Sequence, residues 1–194
     1  MTTYYSYVES PLCQIAVQGD GQFITGLHML PSHRHWPGID ADWQEDAEPF
    51  HAIRQQLNEY FAGERQEFDL PLKLAGTPFQ QRVWQELVRI PFGKTITYAQ
   101  LAQRVGKPTA FRAVGSANGR NPISIIVPCH RVIGADGTLT GYGGGVERKQ
   151  WLLDWERGAA GSSSGGYLFD VAETDSEDST VSRSPSIAAR SGKS

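Results

Sequence analysis

Cysteine is nearly missing from this chain: Cys13 and Cys129 are the two in 194 residues. That count excludes a small disulfide-stapled fold and a four-cysteine zinc site. Long apolar runs are also missing, and none approaches the roughly 20 residues that a bilayer-spanning helix needs. The opening residues Met1-Thr2-Thr3-Tyr4-Tyr5 carry neither a basic region nor an apolar stretch, so a secretory signal is not expected. The expected compartment is the cytoplasm, where a thiol stays reduced. No segment repeats, which argues against a solenoid.

What is present is unevenly distributed. Residues 1–75 hold 4 Lys/Arg and 11 Asp/Glu, a net of −7; residues 76–157 hold 11 and 5, a net of +6; residues 158–194 hold 3 and 5, a net of −2. The sum is the whole-chain −3. A basic middle between acidic ends fits either a face for an anionic partner such as nucleic acid or an ordinary solvated surface.

Residues 4–29 are rich in β-type side chains (Tyr5, Tyr7, Ile15, Val17, Ile24, Leu27), and Gly19-Asp20-Gly21 reads as a hairpin turn. Residues 31–49, with three prolines, read as a loop. Phe50, Ile53, Leu57 and Phe61 then recur at helical spacing, with Gly63 as a stop. A small antiparallel sheet with one helix across it follows for 1–75.

The pattern after residue 76 is helical. Thr77-Pro78-Phe79-Gln80 combines a capping threonine, a proline at the first helical position and a glutamine three residues after the cap. A second helix is expected over Thr97 to Val105, stopped by Gly106, and a third from Pro108 to Asn118. Two short helices around a glycine turn suggest a helix-turn-helix. The third is made of small residues (Ala113, Gly115, Ser116, Ala117), which suits close approach either to a DNA groove or to another helix. Ile123 to Val127 reads as a strand delivering Cys129 after Pro128, and 134–145 as a glycine-rich loop. A closing helix over Glu147 to Arg157 puts Trp151, Leu152 and Trp155 on its apolar side. Residues 159–194, with a Gly161–Gly166 linker and then Ser, Asp and Glu, read as a disordered tail with one apolar patch at Tyr167–Phe169. The fold class is therefore α+β, organised as 1–75, 76–158 and the tail.

Cys129 sits in Pro128-Cys129-His130-Arg131-Val132. A cysteine attacks as thiolate and needs a neighbouring base or positive field. Successive residues of a strand point to opposite faces, so His130 reaches the thiol only through a turn or a water. This segment resembles the active-site signature of the O6-alkylguanine-DNA alkyltransferases, the methylated-DNA–protein-cysteine methyltransferases. Tyr98–Ala102, Arg112–Gly115, Asn118–Pro122, Gly141–Gly145 and Trp151–Leu153 resemble further segments of that family, in the same order. The likeness is strong over 77–157, loose over 4–75, and nearest to the single-polypeptide bacterial type.

The resemblance implies a ribonuclease H-like sheet domain followed by a winged helix-turn-helix-like domain. It implies direct, irreversible transfer of an alkyl group from O6-alkylguanine in double-stranded DNA to Cys129, by a monomer without a cofactor. Cys129 would be the acceptor, His130 and Glu156 its activators, Tyr98 the proton source for the leaving guanine, and Asn121 the tie between recognition helix and active-site segment. Arg112 would fill the place of the rotated nucleotide, with Ala113, Gly115, Ser116, Ala117 and Asn118 beside it on the DNA. Val132, Tyr142, Gly143 and Gly144 would surround the base. Some relatives hold a structural zinc, but Cys13, His28, His33, His35 and His51 fit no compact ligand spacing, so no metal is expected. A lesion binder without the cysteine and a Cys–His hydrolase are the rivals; Cys129 argues against the first, and nothing suggests turnover for the second.

Overall fold

The computed structural model describes residues 2–31, 38–139 and 142–161. The tail beyond residue 161, its Tyr167–Phe169 patch, His33, His35 and Gly141 lie outside the described residues. Three strands open the chain: β1 (Tyr4–Val8), β2 (Ile15–Gly19) and β3 (Ile24–Met29). They pair antiparallel about the expected hairpin, with Val8 opposite Ile15 and Ile15 opposite Met29. The expected loop over 31–49 contains one further short strand, β4 (Gln44–Glu45), parallel to β1 at the sheet edge. Sheet order is β3-β2-β1-β4. Helix α1 (His51–Phe61) buries Ile53, Leu57, Tyr60 and Phe61 in the same core as Ile15, Val17 and Leu27.

Helix α2 (Pro78–Val88) starts on the capping box read from the sequence: Thr77 accepts from the Gln80 N–H, and Gln80 from the Thr77 N–H. The same device starts α3 (Tyr98–Arg104), through Thr97 and Gln100. Gly106, at φ 72°, turns the chain after α3, and α4 (Phe111–Gly119) packs on both α2 and α3. Two short parallel strands, β5 (Ile96–Thr97) and β6 (Val132–Ile133), lie beside them. The closing helix α5 (Val146–Gly161) runs four residues beyond the expected Arg157. No described helix is long and apolar enough to cross a membrane.

The expected strand over 123–127 is not formed. Ile123 bridges Leu27 alone, and Ile125 then takes φ 70°, a left-handed conformation that a β-branched residue adopts only under strong local constraint. Its burial supplies the constraint, as Ile123, Ile125 and Val127 are all buried in the core. Leu27 donates to the Pro122 carbonyl at 2.9 Å and accepts from the Ser124 N–H at 3.2 Å. The N-terminal sheet thus holds the segment that leads to Cys129.

Candidate active site

Pro128 ends the tight 122–127 turns, and Cys129–Arg131 form one turn of 3₁₀ helix closed by the Arg131 N–H on the Pro128 carbonyl at 3.0 Å. This is the turn that a shared site for Cys129 and His130 requires. Both are buried, at 4% and 0% exposure. Asn118 donates to the Cys129 carbonyl at 3.3 Å, and Asn121 Nδ2 lies 2.7 Å from the Val127 carbonyl and 3.1 Å from Cys129 Sγ. Asn121 Oδ1 accepts from the Ile123 N–H at 3.1 Å, so one amide ties the end of α4 to the thiol.

Glu156, fully buried on α5, gathers the other groups. His130 Nε2 lies 2.8 Å from Oε1, Arg131 grips both oxygens with Nε and Nη2, Tyr60 donates its hydroxyl at 2.9 Å, and the Gly93 N–H reaches Oε2 at 3.1 Å. Gly93 sits at φ 69°, and a Cβ there would come within 3.0 Å of Ala160 and 3.2 Å of the Glu156 carbonyl. Burial alone would push this carboxyl up; its donors, His130 and then Arg131, hold it at about 2 instead. Burial pushes His130 down, partly offset by Glu156, so the imidazole is neutral at pH 7. With Glu156 ionised, Nε2 carries the proton. Nδ1 is then a bare acceptor, and it has no hydrogen-bond partner among the described residues.

Burial likewise pushes the Cys129 thiol up, against the Asn121 hydrogen bond and the positive charge of Lys149. Lys149 is fully buried on α5, donates to the Val132 carbonyl at 2.6 Å, and lies 5.7 Å from the centre of the Tyr98 ring. Burial lowers it to about 8. Sequence reasoning missed Lys149, although a signal was there. Lys149, Leu152, Leu153 and Glu156 fall at i, i+3, i+4 and i+7, one face of a helix, and these four are its buried residues. The apolar side was expected at Trp151, Leu152 and Trp155. Both tryptophans are only half-buried, their rings stacked at 5.9 Å.

A small cavity beside Cys129 is lined by Met29, His28, Ser124, Tyr142, Gly143 and Gly144, among others. Its volume is ≈ 20 Å³, room for about one water and not for a purine. Tyr142 lines it, with a buried hydroxyl that has no hydrogen-bond partner among the described residues. Val132 does not line this cavity; its side chain is buried and its carbonyl serves Lys149. Tyr98, at the start of α3, lies outside the cavity lining and packs against Gly115, where an added Cβ would meet the ring at 3.7 Å.

Helix α4 divides the expected DNA-contacting residues. Arg112, Ala113 and Ser116 are exposed and Gly115 is half-buried. Ala117 and Asn118, expected beside them, are buried, at 3% and 1% exposure. They share the inward stripe with Val114, where Trp84 Nε1 donates to the Ala117 carbonyl at 2.8 Å. Small residues on this helix therefore serve both readings left open by the sequence, one on each face. Among the described residues, no group of three His, Cys, Asp or Glu side chains could hold a metal ion.

Residues 78–158 match the family described as 6-O-methylguanine DNA methyltransferase, DNA binding domain, and residues 3–74 match the ribonuclease-like domain of the same family. The methylated-DNA–protein-cysteine methyltransferase of Mycobacterium bovis is 50% identical over 162 residues, covering 81% of this chain and 94% of that protein. That of Methanosarcina barkeri is 47% identical over 153 residues, covering 79% and 96%. Among solved structures, the Mycobacterium tuberculosis protein OGT in complex with DNA is similar at a TM-score of 0.75 and 49% identity, over 80% of this chain and 94% of that one.

Proposed function

The chain belongs to the 6-O-methylguanine DNA methyltransferase family and shares its activity, transfer of an alkyl group from DNA to a protein cysteine; from that premise we propose that Cys129 is the acceptor and that each molecule reacts once. The observation that carries the assignment is the arrangement of His130. Its Nε2 is committed to an ionised Glu156, and its Nδ1 is free to take a proton. The Cys129 thiol gives its proton to Nδ1 through a bridging water, and Glu156 stabilises the imidazolium that results. Sγ attacks the alkyl carbon in line, the C–S bond forms, and the bond from that carbon to guanine O6 breaks. The leaving guanine takes a proton from the Tyr98 phenol, with Lys149 against the ring to stabilise the phenolate. Asn121 and Lys149 favour the thiolate while burial opposes it. The anion therefore forms only when the relay accepts its proton. A thioether has no leaving group that this site could expel, so the acceptor is consumed.

The alkyl carbon lies within the base stack, and the nucleotide must rotate out to reach a buried thiol. Arg112, exposed at the start of α4, fills the vacated place, and Ala113, Gly115 and Ser116 run along the minor groove. Residues 87–135 hold seven Lys/Arg and no Asp or Glu, which supports an anionic duplex as the partner. Tyr142, Gly143 and Gly144 move outward to admit the base, because a cavity of ≈ 20 Å³ cannot hold one. The protein works as a monomer in the cytoplasm, where Cys129 stays reduced. Intact-mass measurement after mixing with a duplex carrying one O6-methylguanine tests the acceptor: one methyl is gained per protein chain, and none by Cys129→Ala. Complete repair by substoichiometric protein would sink single use.

A further inference from the structure

One side chain of α5 reaches both walls of the Cys129 cavity. Arg148 stands in the first turn of α5, where the positive helix terminus disfavours a cation. Main-chain oxygens offset this. Nη2 donates to the Leu30 carbonyl at 2.7 Å and Nη1 to the Pro31 carbonyl at 2.9 Å. Nη1 also lies 3.4 Å from each of the Met29 and Gly144 carbonyls. Met29, at the end of β3, and Gly144, in the loop before α5, both contribute to the cavity lining from separate segments of the chain. They are already in contact, since a Cβ on Gly144 would fall 2.6 Å from Met29 Cε.

We propose that Arg148 is a positioning residue that sets the gap between the Met29 and Gly144 walls, and with it the size of the alkylated base that Cys129 accepts. This rests on the reading above that the base enters this cavity. The two short bonds fix the guanidinium on the end of β3. Nη1 carries two hydrogens; one serves Pro31, and the other is shared between the two long contacts. When Gly144 is drawn outward, that hydrogen stays on the Met29 carbonyl. The wall opens while this half-buried donor keeps a protein acceptor. Without Arg148 the strand-end carbonyls lose their donor and the Gly144 wall loses its stop. A loosened cavity holds a methylated base less well in attack geometry and admits a bulky alkyl group more readily.

The test uses the full chain and duplexes carrying O6-methylguanine or O6-benzylguanine, with transfer rates measured at saturating and limiting DNA. Arg148→Ala lowers the saturating methyl rate about tenfold, leaves the half-saturating DNA concentration unchanged, and raises the benzyl-to-methyl rate ratio. Arg148→Lys recovers part of both effects, and Arg157→Ala, on an exposed surface pair with Asp154, leaves the ratio alone. A ratio within about twofold of wild type overturns the inference, as does an equal loss for both alkyl groups with a lowered melting temperature. Should Arg148→Ala fail to fold, Arg148→Lys carries the same criterion. If wild type transfers neither group to Cys129, the proposed function fails instead, and the two failures are told apart.

Discussion

At the scale of single residues the site is an exercise in burying charge. Glu156 has four donors and Arg131 spans the carboxylate and the Ile90 carbonyl, so removal of either partner strands the other. Glu156→Gln should cost about 3–5 kcal/mol of stability at neutral pH, read from urea midpoints. The carboxyl titrates at about 2 in the folded chain against an ordinary 4.5, so below 4.5 the unfolded chain binds the proton that the folded chain refuses. Its contribution is full above 4.5 and lost as pH falls toward 2. Over that window the wild-type midpoint should drop more steeply than that of Glu156→Gln; parallel profiles would contradict the linkage. Lys149→Met removes the cation that opposes burial of the thiol. In a Cys13→Ser background, the pH profile of Cys129 modification by a small disulfide reagent should move to higher pH. Cys129, His130 and Glu156 were legible through a resemblance. Tyr60 and the inward role of Asn118 were not, because a buried polar residue looks like a surface residue in a hydropathy pattern; Lys149 shows only as the polar start of the 149, 152, 153 and 156 stripe.

Elements follow the sequence wherever a local rule operates. The Thr77 capping box was read directly, the Thr97 box only in the structure, and Thr97→Ala should cost about 1 kcal/mol, measured by thermal melting. The turns over 123–127 could not be read, because four β-type residues in five argue for a strand, and it is burial in the core and the bridge to β3 that accompany the bend at Ile125. Helix α4 is the instructive middle case. Its small residues were visible, but not which face each one takes, since that depends on α2 and α3 packing behind it. Arg112→Ala and Ala117→Leu separate the faces. The first should weaken duplex binding and transfer while leaving the melting temperature alone; the second should destabilise the fold by about 1–3 kcal/mol through overpacking. Equal melting temperatures for both variants would place Ala117 on the outer face.

For the whole molecule, the family matches divide at residues 74 and 78, yet Met1–Ser164 form one compact unit. The Leu27–Ile123 bridge, the Tyr60–Glu156 hydrogen bond and the Arg148 contacts with the end of β3 all cross that division. We propose that the boundary near residue 75 is one of sequence and that the two halves unfold together. Calorimetry of residues 1–161 should give one transition with equal calorimetric and van't Hoff enthalpies. Transfer activity should survive deletion of residues 162–194, and loss of activity in a folded truncation would give the tail a part in the reaction.

The stripe on α5 has a consequence for how the chain can vary in length. Lys149 and Glu156 stand two turns apart on one face, one bonded to the Val132 carbonyl with its charge acting on the thiol and the other bonded to His130. Each residue of an α-helix advances about 100°, so inserting or deleting a single residue between them swings Glu156 away from His130 and Arg131. Helix α5 works as a vernier: its exposed positions can be rewritten freely, while its count of residues between 149 and 156 cannot change by one.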